Sequence, residues 1–218
     1  MAKVQAIAAV VVATLRDADA DSWTASEIHS AINEAEKVIV NYRPDASAID
    51  YELPCAEGIK QSLPANANRL LDVKFNVGAA SAPGRSVHRK AVVDLDSINP
   101  NWRSASANAV IREFVYDDRE PLFFYVYPPA ANGAKLQISY SGIPPAYGTV
   151  DANTATLVSD LYEPAIIEWA LYRLFGFDVE NSVNMARSQQ HLSNFANMLG
   201  VKLQNEPRFS PRNRENKA

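Results

Sequence analysis

Pro121-Leu-Phe-Phe-Tyr-Val-Tyr-Pro-Pro129 decides how the rest of this chain is read. Phe123 to Tyr127 are five consecutive β-favouring residues, set between prolines that cannot donate to a ladder. Leu122, Phe124 and Val126 fall on one face, and Phe123, Tyr125 and Tyr127 on the other. With both faces apolar or aromatic, the segment is expected to be a buried packing strand. The middle of the chain is therefore scaffold.

Working outward, the residues from about 49 to 142 keep a period of two. Leu71, Val73, Phe75 and Val77 alternate with Asp72, Lys74 and Asn76, which predicts a half-exposed strand. Leu136, Ile138 and Tyr140 alternate in the same way with Lys135, Gln137 and Ser139. Weaker strands are expected near 49–54, 58–63, 87–93 and 109–116. Residues 78–86, small and containing Pro and Gly, read as a flexible hairpin tip, and Asn99-Pro-Asn-Trp102 as a turn that plants a tryptophan.

Helical periods flank this region. Val4, Ile7, Val11 and Leu15 mark a helix over about 2–16. Thr24 and Glu27 form a capping box before the stripe Ile28, Ile32, Ala35, Ile39, and Arg43-Pro44 ends that second helix. After a linker at 146–156, Asp160 is expected to cap a third helix, apolar nearly all round. Asp178 is expected to start a fourth, carrying Met185, Leu192, Phe195 and Leu199 and closed by Gly200. The order αα–β–αα–tail defines an α+β chain. Helical hairpins at 1–45 and 157–200 are expected to pack together, beside an antiparallel β-sandwich or barrel-like sheet at 46–145 and an extended tail at 201–218.

The net charge of −4 conceals an asymmetry. Lys202, Arg208, Arg212, Arg214 and Lys217 against Glu206 and Glu215 make residues 201–218 net +3, leaving −7 on the rest. A basic arm on an acidic body suits docking elsewhere. Cys55 is the single cysteine, so one copy can form neither a disulfide framework nor a cysteine zinc cluster. The N-terminal apolar run is interrupted by Gln5 and followed by Arg16-Asp17, which favours an amphipathic helix over a secretory signal. No run is long enough to span a bilayer as a helix.

The catalytic and ligand motifs all fall short. Asp17, Asp19 and Asp21 open like a calcium loop, but Ser22 and Ile28 stand where Gly and Glu are needed. Gly78 and Gly84-Arg85-Ser86 have the wrong spacing for a phosphate loop. His29, His88 and His191 belong to separate elements without partners at ligand spacing. Cys55 reads as a small buried group, and Asp117-Asp118-Arg119-Glu120 as a charged turn. Tyr125 and Tyr127 could stack nucleic-acid bases, but their acidic neighbours repel phosphate. No catalytic residue, metal or cofactor is expected.

Several segments share an order. They are Trp23 with Glu27-Ile28; Tyr42-Arg43-Pro44-Asp45; Gly58-Ile-Lys-Gln61-Ser-Leu-Pro64; Leu70-Leu-Asp-Val73; Asn99-Pro-Asn-Trp102; Phe123 to Pro129; Tyr140-Ser-Gly-Ile-Pro144; and Glu168-Trp-Ala-Leu-Tyr172 before Phe195. Over residues of about 20–200 the chain resembles bacteriophage tail adaptors, also called head-to-tail connectors. The resemblance implies a structural, non-enzymatic virion protein, assembled in the host cytoplasm and placed at the head–tail junction. A ring of twelve copies would lie between the portal protein and the tail tube or nozzle. DNA would pass through it without sequence-specific binding, and no membrane is involved. In that setting Arg208, Phe209, Arg212 and Arg214 are expected to dock in an acidic portal groove, with Trp102, Tyr140 and Tyr147 as subunit or tail contacts. The alternatives are another phage neck or tail-completion protein, or a β-sandwich carbohydrate-binding module using Trp102 and Tyr127.

Overall fold

A computed structural model describes residues 2–16, 22–147, 150, 151, 153–177 and 181–205. The chain divides into two compact units. One joins residues 1–42 to 144–218, and the other is residues 43–143.

In the first unit, α1 (Val4–Leu15) buries Val4, Ile7 and Val11. The second helix, α2 (Ala25–Tyr42), buries Ile28, Ile32, Ala35 and Ile39, the predicted stripe. Its capping box is formed. The Thr24 N–H donates to Glu27 Oε2 at 2.8 Å, and the Glu27 N–H to Thr24 Oγ1 at 3.3 Å. Removing the hydroxyl with Thr24→Ala is expected to lower the stability of this unit by about 1 kcal/mol, read as a lower midpoint in urea.

Two helices follow the second crossing into this unit, α4 (Glu163–Gly176) and α5 (Ser182–Asn205), and α4 contacts α1, α2 and α5. Their ends differ from the expected ones. Asp160 opens a short 3₁₀ turn, Asp160–Tyr162, rather than capping α4; Pro164 in the first turn of α4 supplies the preset backbone instead. Asp178 lies outside the described residues. The start of α5 is fixed by Asn181, whose Oδ1 accepts the Val183 N–H at 3.0 Å. Gly200 does not end α5, which runs on to Asn205. A glycine inside a helix costs only about 1 kcal/mol relative to alanine, which the other residues of the helix outweigh.

The second unit holds eight strands in two open sheets, so the barrel-like alternative gives way to two layers. They are β1 (Ala48–Pro54), β2 (Gly58–Ser62), β3 (Ala67–Val77), β4 (Pro83–Ser86), β5 (His88–Arg89), β6 (Glu113–Val115), β7 (Phe123–Ala130) and β8 (Lys135–Gly142). The sheet orders are β1-β8-β3-β4 and β2-β7-β6-β5. Pairing is antiparallel except for β5 beside β6. Leu70 and Val73 from one sheet share a core with Phe114, Phe124 and Val126 from the other.

Three expectations for this unit need correction. Alternation fails in β3, where Ala67, Leu70, Val73 and Asn76 are buried and Leu71, Phe75 and Val77 only partly so. Register shifts against β8 fall between 67 and 69, 70 and 72, and 73 and 75; each turns the pleat by a residue and converts a period of two into three. Residues 78–86 contain β4 rather than only a hairpin tip. Residues 92–98, read partly as strand, form a helix, α3 (Val92–Ile98).

The Pro121–Pro129 segment also ends differently. β7 continues through Pro128 and Pro129, with a cis bond between Tyr127 and Pro128. A proline donates nothing, but it can accept, and the Pro129 carbonyl takes the Asn108 N–H at 2.8 Å.

Asn76 joins the layers. Its Nδ2 donates to the Arg85 carbonyl at 2.8 Å and to the Ile111 carbonyl at 2.7 Å, while its Oδ1 accepts the Ile111 N–H at 2.8 Å. One side chain on β3 thereby satisfies both backbone groups of Ile111, just before β6 of the other sheet.

Candidate functional site

Among the described residues no group of three or more His, Cys, Asp or Glu side chains comes together as a metal site. Burial pushes the Cys55 thiol up to about 11, leaving little thiolate at neutral pH. Asp117 is held down at about 2 by the Arg119 guanidinium, and Asp118 pairs with Arg69 at 2.7 Å, so the acidic turn is occupied by ion pairs.

In the helical unit, Glu36 occupies the buried stripe of α2 with its side chain shut off from solvent. Its Oε1 accepts the Leu157 and Val158 N–H groups at 2.8 and 3.2 Å, and its Oε2 accepts the Tyr147 hydroxyl. Asn33, one turn earlier, donates to the Pro145 carbonyl. Backbone without a ladder of its own is thus satisfied by two polar side chains inside an apolar stripe. Burial raises the Glu36 pKa above the ordinary carboxylate range, against the pull of these hydrogen bonds. Burial, with the nearby Glu36 carboxylate, raises that of Tyr147.

Polar pins also hold α4 to α5. Glu168 accepts from Asn194 Nδ2 at 3.0 Å and meets His191 Nδ1 at 2.8 Å. The Ser188 hydroxyl donates to the Tyr172 carbonyl at 2.9 Å. His191 stacks on Phe175, and Phe195 packs on Trp169. Partners late in α4 meet residues early in α5, which makes the two helices an antiparallel hairpin. Where the first turn of α4 nears the later turns of α5, Leu161, Tyr162, Pro164, Ala165, Met198 and Leu199 line a cleft of about 440 Å³. Leu161 is 76% exposed at its edge.

In the β unit, the second face of β7 is covered by residues 92–104. Leu95, Trp102 and Val115 form a small core with Ile59, Tyr125 and Tyr127. Trp102 Nε1 donates to Asp96 Oδ1 at 2.8 Å, and the Arg103 guanidinium lies 4.5 Å from the indole centroid. The outer side of α3 carries Val93 and Ile98, 73% and 75% exposed.

Charge is partitioned between the units. Residues 43–143 hold eleven basic and eleven acidic side chains, so the whole −7 resides in residues 1–42 and 144–200.

Unlike charges on its segments and apolar side chains on its surface are features that suit an assembly part. The family model described as SU10 adaptor protein matches residues 3–215. The chain belongs to the SU10 adaptor protein family. No curated protein matches it. The adaptor is accordingly a bacteriophage structural protein and a virion component, from a family that is structural rather than characteristically enzymatic. The match reaches beyond the span of about 20–200 that carried the resemblance, taking in the N-terminal helix and most of the tail.

The residues singled out from the adaptor's sequence do not gather into one site. Trp102 is 1% exposed and Tyr140 3%, so both are core groups within a single copy. The Tyr140 hydroxyl donates to Asn66 Oδ1 at 3.1 Å, and its ring meets Tyr51 edge-on. Tyr147 is half-buried on Glu36. Arg208, Phe209, Arg212 and Arg214 lie outside the described residues. Sequence reading missed Glu36, Asn76 and the Glu168–His191 pair. The clue for Glu36 was a carboxylate at an inward position of the α2 stripe, where an isolated charge is too costly to bury.

Proposed function

We propose that this adaptor assembles as a ring, of twelve copies, at the head–tail junction. One side would grip the portal protein, the other would receive the tail tube or nozzle, and DNA would pass through the centre without sequence-specific contacts. The observation that carries this reading is the match to the adaptor family over residues 3–215. The surface supports it. A ring closes through heterologous contacts, and the exposed Val93 and Ile98 on α3 offer apolar side chains for them. The acidic residues of the helical unit suit a conduit wall that repels phosphate. The carbohydrate-binding alternative loses its platform, because Trp102 is a buried core group.

In this reading the basic segment with Arg208, Phe209, Arg212 and Arg214 is the portal-docking arm, and twelve weak arms acting together hold strongly. Purified adaptor mixed with portal-bearing particles is expected to sediment with them. Deleting 206–218, which leaves α5 intact, is expected to weaken that association at least tenfold at low salt and less at high salt, where screening weakens the charged contact. Equal co-sedimentation of truncated and full-length protein would refute the docking role of the arm.

A further inference from the structure

The cleft between the first turn of α4 and the later turns of α5 is apolar, and it lies close to the point where the described helix ends. Leu199 on its wall stands six residues before Asn205, the last residue of α5. At the helical rise those six residues span about 9 Å. Four extended residues, Glu206 to Phe209, reach about 13 Å. Phe209 can therefore turn back to the level of Leu199 without any break in the helix. Phe209 is also the only aromatic residue among 206–218. The volume of about 440 Å³ accommodates its ring.

Charge points the same way. Asp160 precedes the lining residues Leu161, Tyr162 and Pro164 in sequence, and Glu163 lies among them. Without residues 206–218, the unit that carries the cleft holds twelve acidic and six basic side chains. Residues 206–218 bring Arg208, Arg212, Arg214 and Lys217 against Glu206 and Glu215. Arg208 directly precedes the apolar anchor.

We propose that in the free adaptor residues 206–218 dock on the cleft of their own chain, with Phe209 between Leu161 and Met198 and Arg208 toward the Asp160–Glu163 rim. The arm is thereby stored on its own helical unit until a competing surface draws it away. Only the name of that competitor, the portal, rests on the functional reading above; the docked state itself is a property of the isolated protein.

The test needs no portal. Amide hydrogen exchange over residues 161–166 and 195–199 is compared in full-length protein, protein ending at Asn205, and Phe209→Ala. Exchange at least threefold faster in both variants is expected. A peptide of residues 206–218 added to the shortened chain is expected to restore protection saturably, and the same peptide with Phe209 replaced by alanine is not. As a second readout, a Met198→Cys thiol in a Cys55→Ala background is expected to react several-fold faster once 206–218 are removed. Identical exchange and labelling in full-length and shortened chains would overturn the proposal. So would protection that disappears on dilution, since a neighbouring copy would then supply the arm. If the shortened chain binds portal undiminished, the docking role fails while these measurements stand unaffected.

Discussion

Replacing Asn76 by alanine is expected to lower the stability of the β unit by about 3 kcal/mol. The substitution removes little apolar surface, and its effect comes from what is left behind. The N–H and carbonyl of Ile111, a residue without solvent exposure, both lose their partner, and the Arg85 carbonyl loses its own. A buried backbone group without a partner costs about 1–3 kcal/mol. Asn76→Asp separates the roles. Its oxygen still accepts the Ile111 N–H, but the second oxygen then faces two carbonyls that need a donor. This variant is expected to be less stable at pH 7 than at pH 4, where a protonated carboxyl can donate once. Trp102 is the single tryptophan of the β unit, so urea melts followed by its fluorescence, with Trp23 and Trp169 changed to phenylalanine, report on this unit. A loss under 1 kcal/mol for Asn76→Ala would show that the two layers do not depend on this amide.

Glu36→Ala is expected to destabilise the helical unit by a similar amount, about 3 kcal/mol, because the Leu157 and Val158 N–H groups and the Tyr147 hydroxyl lose their acceptor. Glu36→Gln behaves differently. The amide oxygen still accepts the two N–H groups, its NH₂ can donate to the Tyr147 oxygen, and no charge is buried. The sign of the pH effect follows from the raised pKa. Folding takes up a proton between the ordinary carboxylate pKa and the higher folded value. The Glu36 contribution is therefore full below the ordinary value, falls as pH rises through the folded value, and is flat beyond it. Glu36→Gln lacks this fall, so its stability relative to the natural protein is expected to increase across that window. Denaturant midpoints from pH 4 to 9 measure it; a constant difference between the two proteins would mean that Glu36 titrates as it does in the unfolded chain.

Both groups show where sequence reading reaches its limit. The stripe of α2 and the capping box at Thr24 were legible because spacing within one helix fixes which side chains share a face. Leu136, Ile138 and Tyr140 were legible because β8 is central in its sheet and keeps its pleat. β3 was misread at Asn76 because its register shifts arise from pairing with β8, some sixty residues away. Val92 and Val93 were read as the end of a strand because they favour strands locally, whereas Leu95 and Trp102 gain burial over β7 by forming α3 and the turn after it. Trp102 and Tyr140, read from sequence as subunit or tail contacts, are buried within one copy. Asp96 and Asn66, which take their polar atoms, are ordinary surface residue types with no recognisable spacing to them. The family was legible because the order of many short segments survives such local errors.

The β unit enters and leaves through neighbouring points. Ala48 pairs with Ser141, and the Ser47 hydroxyl donates to the Gly142 carbonyl at 2.9 Å. The start of β1 and the end of β8 thus lie side by side, as in a cassette spliced into a host. A gap that narrow can be bridged by a few glycines, so 1–42 fused to 144–205 and 43–143 expressed alone are natural candidates for separate folding. Exchange of such a cassette between relatives would retune one set of contacts while the scaffold that carries it keeps its own.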